Sequence, residues 1–343
     1  MMRLPRFRYV APATLAEAAS ALASAGPGDA MVVAGGTDLI PNMKRRQQVP
    51  GTLVGLRRIA ELHEIRNGDG CSFGAGVTLS MLIRAIGRSA SPGLEGLRQA
   101  ASQVATPQLR NMGTLGGNLC LDTRCNYYDQ NYEWRRAIDF CMKKDGKTCW
   151  VATSSPKCLA ISSTDTAPAL IALGASITLL NAAGVRTIPV EDLYRNDGID
   201  YLNRRPDEIL TAVHVPALDG WRSTYWKLRR RGSFDFPVLS VAAAVRRSDA
   251  GTVEDARIVL GAVASRPIDA IAAARLLVGA DLSDEQIERA SAVAAQQARP
   301  MDNTDFGLVW RKRMAKAFVT YALKELRGDD MRATRYRIAR RLL

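Results

Sequence analysis

The chain alternates between two rhythms of apolar and polar positions, and the points where the rhythm changes divide it into elements. Residues 14–25 repeat alanine and leucine at helical spacing, and Thr14 stands where an N-cap hydroxyl is needed, so a short helix is expected there. The run Ala30-Met31-Val32-Val33-Ala34 then breaks into Gly35-Gly36-Thr37-Asp38, which reads as a strand ending in a turn. Leu53 to Leu56 and Cys71 to Val77 carry the same strand signal. Residues 78–88 and 94–105 return to a helical pattern, and a second glycine stretch follows, Gly113-Thr114-Leu115-Gly116-Gly117-Asn118.

Residues 121–160 lose both rhythms: they are polar, aromatic and rich in cysteine. An irregular stretch of that length is uncommon in a compact domain unless it has a function or an internal staple. Regular patterning resumes over Thr166 to Leu180, Val185 to Val190 and Ile209 to Val215. Pro216-Ala217-Leu218-Asp219-Gly220 marks a domain boundary. Beyond it, Ser223 to Arg231, Val238 to Arg246 and Ala256 to Ala264 read as strands, and helices are expected at 267–278, 283–298 and 306–326.

Length and composition narrow the picture. A chain of 343 residues, 47% of them hydrophobic, favours two or three domains and a sizeable core. No run of eighteen apolar residues occurs, and the start, Met1-Met2-Arg3-Leu4-Pro5-Arg6, lacks the apolar stretch of an export signal, so a cytoplasmic protein without a membrane span is expected. The net charge of +13 would suit nucleic acid, but the arginines are scattered and no aromatic–basic recognition module accompanies them. Only Arg229-Arg230-Arg231 and the tail from Arg327 to Arg341 form clusters, read as solvated faces or contacts to acidic partner subunits.

The cysteines change the picture more. Cys71 stands alone, whereas Cys120, Cys125, Cys141, Cys149 and Cys158 share one short region. Clustered thiols in a protein without an export signal point to metal rather than to disulfides. Cys125, Cys141, Cys149 and Cys158, with fifteen, seven and eight residues between them, supply the four thiolates of a [4Fe-4S] cluster. Structural zinc accepts the same ligands but usually draws on a closely spaced pair, which only Cys120 and Cys125 offer.

The two glycine loops have a chemistry of their own. Glycine lets backbone N–H groups come close to an anion, and successive N–H groups form a concavity suited to phosphate. Two such loops could hold both phosphates of a dinucleotide. Neither has the Rossmann spacing or the P-loop pattern, so such binding requires a different fold.

Val32-Val33-Ala34-Gly35-Gly36-Thr37-Asp38-Leu39, with Met43-Lys44 after it, resembles the first FAD loop of the flavoproteins of the xanthine dehydrogenase and carbon monoxide dehydrogenase family, and Arg110 to Leu119 resembles the second. Later landmarks agree: Thr164-Asp165-Thr166-Ala167-Pro168, Pro206-Asp207-Glu208-Ile209-Leu210, Trp226-Lys227 with Asp235 downstream, and Gly261-Ala262-Val263-Ala264. The resemblance extends to about residue 327 and implies an α+β protein. A two-lobed FAD-binding domain of the vanillyl-alcohol-oxidase/PCMH type would span 1–218, with lobes of about 1–55 and 56–218 and an insertion at 121–160. A smaller domain, a short antiparallel sheet packed on a helical bundle, would span 219–327, and a basic tail 328–343.

The resemblance also assigns roles. Val32, Val33, Ala34, Gly35, Gly36, Thr37, Asp38 and Leu39, together with Thr114, Leu115, Gly116, Gly117 and Asn118, would wrap the pyrophosphate and its sugars. Asp165 would bond a flavin hydroxyl, though it also reads as an N-cap for the following helix. Val104 and Leu210 would supply apolar contacts, and Lys227 would lie by the flavin or a phosphate. No catalytic residue transfers, because substrate chemistry in this family takes place on another subunit.

The cysteine insertion, with Asn126-Tyr127-Tyr128 after its first ligand, is similar to that of one branch, the flavoprotein subunits of 4-hydroxybenzoyl-CoA reductases. That similarity implies electron transfer from ferredoxin through [4Fe-4S] and FAD to [2Fe-2S] on a small subunit and the molybdenum cofactor on a large one. The assembly would be a dimer of heterotrimers. It leaves Cys120 a bystander and Cys71 a buried strand residue. The rivals are the FAD subunit of an aldehyde, xanthine or N-heterocycle hydroxylase with outward electron flow, a stand-alone flavin dehydrogenase, and a zinc-stapled non-redox binding protein.

Overall fold

The computed structural model describes residues 3–26 and 28–340. Its first sheet joins β1 (Arg8–Val10), β2 (Ala30–Val33) and β3 (Thr52–Gly55), all parallel, in the order β1-β3-β2. Helix Leu15–Ser24 connects β1 to β2; Thr14 caps it by accepting from the Glu17 amide at 3.2 Å, and Ala18, Ala19 and Leu22 form its buried stripe. The second sheet is antiparallel: β4 (Ile65–Gly68), β5 (Gly70–Gly74), β6 (Ser176–Asn181), β7 (Gly184–Pro189) and β8 (Ile209–Val215), in the order β4-β5-β8-β6-β7. The third, also antiparallel, runs β12-β11-β10-β9 and comprises β9 (Trp221–Leu228), β10 (Leu239–Arg247), β11 (Val253–Gly261) and β12 (Ile268–Asp269).

The third sheet is the wall between the two cores, and its sequence explains why. Side chains alternate across a strand, so a strand apolar at every position has no face for water. In β10, Val241, Ala243 and Val245 enter the core shared with helices Asp284–Gln297 and Leu308–Arg327, while Ala242 and Ala244 enter the larger core on the other side. The small side chains of that second face let helix Thr166–Ala172 lie against the sheet.

Several elements differ from the sequence reading. Instead of one helix over 267–278, Ile268 and Asp269 pair with β11 and only Ile271–Arg275 is helical, because the open sheet edge captures the segment first. The helix expected over 94–105 ends at Ser102, ahead of Ala105, which takes a positive φ of 45°. β5 stops at Gly74 rather than Val77, and Cys71 on it is half-buried rather than buried. β1, β4 and the short helices Leu39–Lys44, Pro107–Arg110 and Leu115–Leu119 gave no periodic signal. No helix among the described residues is long and apolar enough to cross a membrane.

The basic tail folds back as helix Arg332–Ala339; residues 341–343 lie outside the described residues. The Arg335 guanidinium lies 4.0 Å from the Trp226 ring centre and pairs with Glu325 at 2.6 Å. Burial pushes the Glu325 carboxyl up, but the Arg335 contacts, with hydrogen bonds from Thr224 and Trp226, together hold the group below its ordinary 4.5. Stability from this pair is therefore complete above about pH 4.5 and is lost as the pH falls through the lowered folded value.

A second ion pair crosses the seam between the cores. Ser223, Tyr225 and Lys227 of β9 share one face by the period of two. Lys227 Nζ donates to Asp165 at 3.0 Å and to the Gln103 carbonyl at 3.0 Å, and the Tyr225 hydroxyl donates to Asp165 at 2.7 Å. The two charged side chains are 0% and 4% exposed. Burial raises the Asp165 carboxyl and lowers the Lys227 ammonium, and each is pulled back by the other's charge.

Lys227→Met leaves a buried carboxylate without its cation and is expected to lower stability by about 3–5 kcal/mol in denaturant unfolding, whereas Lys227→Met with Asp165→Leu recovers most of the loss. Glu325→Gln, which removes the carboxylate at every pH, is expected to loosen the tail helix at about pH 6, read as new proteolytic cuts within 328–340; a tail protected as in the native protein contradicts the Glu325–Arg335 account.

Candidate functional site

A cleft of about 760 Å³ runs between the first two sheets, and both glycine loops line it. The loops are pressed together: a Cβ on Gly35 would stand 1.9 Å from the Met112 carbonyl oxygen, so no side chain fits there. Gly116 is also confined, since a Cβ there would stand 2.7 Å from the Ala75 Cβ. These two glycines serve contact between chain segments. Gly36 serves backbone conformation, with a φ of 69°. At Gly117 a Cβ would meet only its own cap, the Thr114 hydroxyl at 3.0 Å, so this glycine faces the open cleft.

The loops also differ in what their amides can do. In the second, Leu115 N–H donates to Val77, Gly116 N–H to Ala75 and Asn118 N–H to the Thr114 carbonyl, while Gly117 N–H donates to the Thr114 hydroxyl at 3.1 Å. In the first, the N–H groups of Gly35, Gly36, Thr37 and Asp38 donate to no protein acceptor among the described residues. The first loop thus offers an anion a row of donors, and the second offers close approach. Ser163 adds a buried hydroxyl without a partner on the wall of the cleft. This donor set suits a dinucleotide with a pyrophosphate.

Of the residues singled out from the sequence, Val32 through Leu39, Val104, Thr114, Gly116, Gly117, Asn118, Asp165 and Leu210 all line the cleft. Leu115 does not; its side chain is fully buried in the core. Lys227 does not either: it stands behind Asp165, whose carboxylate it holds. The N-cap reading of Asp165 is overturned, since its side chain caps nothing. Asn118 and Thr164 do that work, Asn118 Oδ1 accepting from the Thr166 amide at 3.0 Å and Thr164 Oγ1 from the Ala167 amide at 3.3 Å. Asn118 also accepts from the Thr164 hydroxyl at 2.8 Å, so the second loop fixes the turn that carries Asp165.

Sequence reasoning missed Arg124. Its guanidinium is paired with Asp38 of the first loop and lies 3.2 Å from Asp129, which in turn accepts from the Cys125 amide at 3.3 Å. The Phe236 ring lies 4.5 Å from it. No local pattern announces such a contact, because Arg124 and Asp38 are 86 residues apart. Cys120, Tyr201, Arg204, Arg231, Phe234 and Asp235 also line the cleft, so Cys120 and part of the Arg229–Arg231 cluster belong to its wall.

Directly beyond Arg124 lies the cysteine-rich segment, which is irregular apart from helix Tyr132–Ala137. Cys125, Cys141, Cys149 and Cys158 are all buried and unpaired by disulfides. A bridge between Arg124 and Ile161 brings both ends of the segment together, and the Met142 amide donates to the Thr148 carbonyl at 2.9 Å, setting Cys141 and Cys149 side by side. Burial pushes the Cys125 thiol up to about 12, with Cys158 and Cys141 near enough to add to the effect. Burial likewise pushes Cys158 up to about 11, with Cys149 and Cys141 adding to it. Among the described residues no three His, Cys, Asp or Glu side chains converge tightly enough to hold one metal ion.

Two further features mark this segment. Arg135 is 0% exposed, yet its Nε and Nη2 have no acceptor. Asp139, Phe140 and Asp145, flanking Cys141, hold φ values of 59°, 57° and 72°, which side chains disfavour. Strain of this kind persists only where surroundings enforce it.

Comparison with known proteins places this arrangement. Residues 5–218 match the family described as FAD binding domain in molybdopterin dehydrogenase, and residues 223–326 match the CO dehydrogenase flavoprotein C-terminal domain. The carbon monoxide dehydrogenase medium chain of Afipia carboxidovorans is 29% identical over 326 residues, covering 94% of this chain and 97% of that one. The aldehyde oxidoreductase FAD-binding subunit PaoB of Escherichia coli is 32% identical over 275 residues, covering 76% and 82%. Among solved structures, reconstituted CO dehydrogenase from Oligotropha carboxidovorans superimposes with a TM-score of 0.77 at 28% identity, covering 95% of this chain and 99% of that one. With both family segments in order and one fold shared along nearly its whole length, the chain belongs to the FAD-binding medium subunits of the xanthine and carbon monoxide dehydrogenase family of molybdenum hydroxylases.

Proposed function

We propose that this chain is the electron-transfer subunit of a molybdenum-containing 4-hydroxybenzoyl-CoA reductase. In this reading ferredoxin donates electrons, a [4Fe-4S] cluster on Cys125, Cys141, Cys149 and Cys158 and FAD in the cleft are the resident carriers, and the reductive dehydroxylation takes place on a partner. The partners are a small [2Fe-2S] subunit and a large molybdenum subunit, arranged as a dimer of heterotrimers in the cytoplasm. Residues 1–218, with the insertion 121–160, form the flavin domain, 219–327 the second domain and 328–343 the tail.

The observation that carries the reading is the cysteine segment itself, four buried thiols within one segment beside a flavin cleft, three of them packed in one small core. Cluster ligands bind as thiolates, and burial disfavours that charged form, so the site needs positive charge nearby. The orphaned donors of Arg135 offer compensation for the resulting negative charge. Bound FAD supplies a carrier that exchanges one or two electrons. The chain's own share is to hold it: free amides of the first loop for the pyrophosphate, Gly117 for close approach, Ser163 and Asp165 for its hydroxyls, Val104 and Leu210 for apolar contact.

A second reading is supported by the likeness to the PaoB subunit: an aldehyde, xanthine or N-heterocycle hydroxylase, with electrons leaving the molybdenum site. Assay of the native complex separates the two, since only the first reduces 4-hydroxybenzoyl-CoA with reduced ferredoxin.

Gly117→Val is expected to lower FAD occupancy while leaving the melting temperature of the flavin-free protein unchanged. Gly36→Val lowers occupancy and adds backbone strain, and Gly35→Ala lowers the melting temperature even without flavin. Normal FAD content in both Gly36→Val and Gly117→Val removes the loops from the account. Cys141→Ser is expected to lose the EPR signal of the reduced cluster and most of the bound iron; an undiminished iron content rules out the ligand assignment, and zinc in place of iron in the native protein rules out the cluster.

A further inference from the structure

Between the buried thiols and the flavin cleft sits a nearly buried ammonium group. Lys143 lies two residues beyond Cys141, and its side chain is 6% exposed. Its Nζ donates to Asp122 at 2.8 Å, to the Thr123 hydroxyl at 2.7 Å and to the Gly198 carbonyl at 2.6 Å. It also lies 4.8 Å from the Tyr128 ring centre and 5.3 Å from that of Tyr201.

These neighbours point in two directions. Gly198 abuts Cys158: its amide donates to the Cys158 carbonyl at 2.9 Å, and a Cβ on it would stand 2.7 Å from the Cys158 sulfur. Asp122 and Tyr201, on the opposite side, line the cleft. One residue therefore separates the ammonium from a thiol, and one separates it from the flavin site. The Asp122 carboxylate, also 6% exposed, accepts from the Tyr128 hydroxyl at 3.1 Å as well as from Lys143.

We propose that Lys143 is a positioning residue for electron transfer: a fixed buried charge that sets the reduction potential of the cluster held by Cys125, Cys141, Cys149 and Cys158, with Asp122 as its counterweight. This rests on the cluster reading given above. Reduction adds one electron, hence one negative charge, to the four-cysteine site. A nearby cation in a poorly screened interior stabilises that added charge, and a nearby anion opposes it. Asp122 holds the ammonium in place and partly cancels it, so the pair fixes the potential from both sides. Three hydrogen bonds fix the distance, which a free lysine side chain would not.

The test is an EPR-monitored redox titration of the purified native complex, with iron and flavin measured in each preparation. Lys143→Met is expected to lower the midpoint potential of the cluster, shifting its one-electron equilibrium about tenfold, or about 59 mV. Asp122→Asn is expected to raise it, and Lys143→Arg to leave it near the native value. A purely structural role for Lys143 moves iron content but not the potential of the clusters that remain. Should Lys143→Met fail to keep its cluster, the sign of the Asp122→Asn shift decides. Native potentials in iron-replete Lys143→Met, or an unshifted Asp122→Asn, overturn the inference alone. A native complex with no iron on this chain overturns the cluster reading itself.

Discussion

A buried charge must find its opposite, and most of the irregular parts of this protein are held by that requirement. Removing an ion from water is costly enough that an unpaired one inside a core destabilises the fold. Lys227 with Asp165 crosses the seam between the two cores. Arg124 with Asp38 and Asp129 ties the first glycine loop to the start of the cysteine segment, and Lys143 with Asp122 ties that segment to the cleft. Arg311, fully buried, instead reaches three backbone carbonyls, those of Val238, Met301 and Ala262. The Met301 end of that contact matters because the same loop carries Asn303, which bonds the backbone at Asn126 and Leu159 on both ends of the cysteine segment. Sheets and helices satisfy their own backbone; loops without a ladder are fixed by these ions.

The glycine loops show how one residue type answers different demands. Gly35 and Gly116 are required by neighbouring chain, Gly36 by backbone conformation, and Gly117 by the open cleft. The division follows from where the amides go. A loop whose Leu115, Gly116, Gly117 and Asn118 N–H groups are already bonded has few donors left for an anion, so it contributes shape, and the other loop contributes donors. A pair of similar motifs in the sequence thus becomes two unlike halves of one site.

The cysteine segment is a satellite with its own small core, in which Cys125, Cys141 and Cys158 pack with Tyr128 and Ala160. Such a core is too small to hold a chain of this length by apolar burial alone. The Arg124 and Lys143 contacts keep the segment fixed against the flavin domain.

What the sequence determined by itself was whatever local pattern encodes. Strands such as Ile209–Val215 and helices such as Asp284–Gln297 carry their own period and caps, and the paired glycines announce an unusual turn by residue type and order. The likeness to a family of flavin subunits could be read from the same residues. Only the tertiary structure decided that Lys227 stands behind Asp165 instead of on the cleft, that Asp165 caps no helix, and that residues 268–269 join a sheet instead of starting a helix. It alone brought Arg124 to Asp38 and Lys143 to Asp122. The reason is physical: periodicity reports which face of an element is buried, but the partner of a buried charge or an open sheet edge is chosen by chain that may lie anywhere in the sequence.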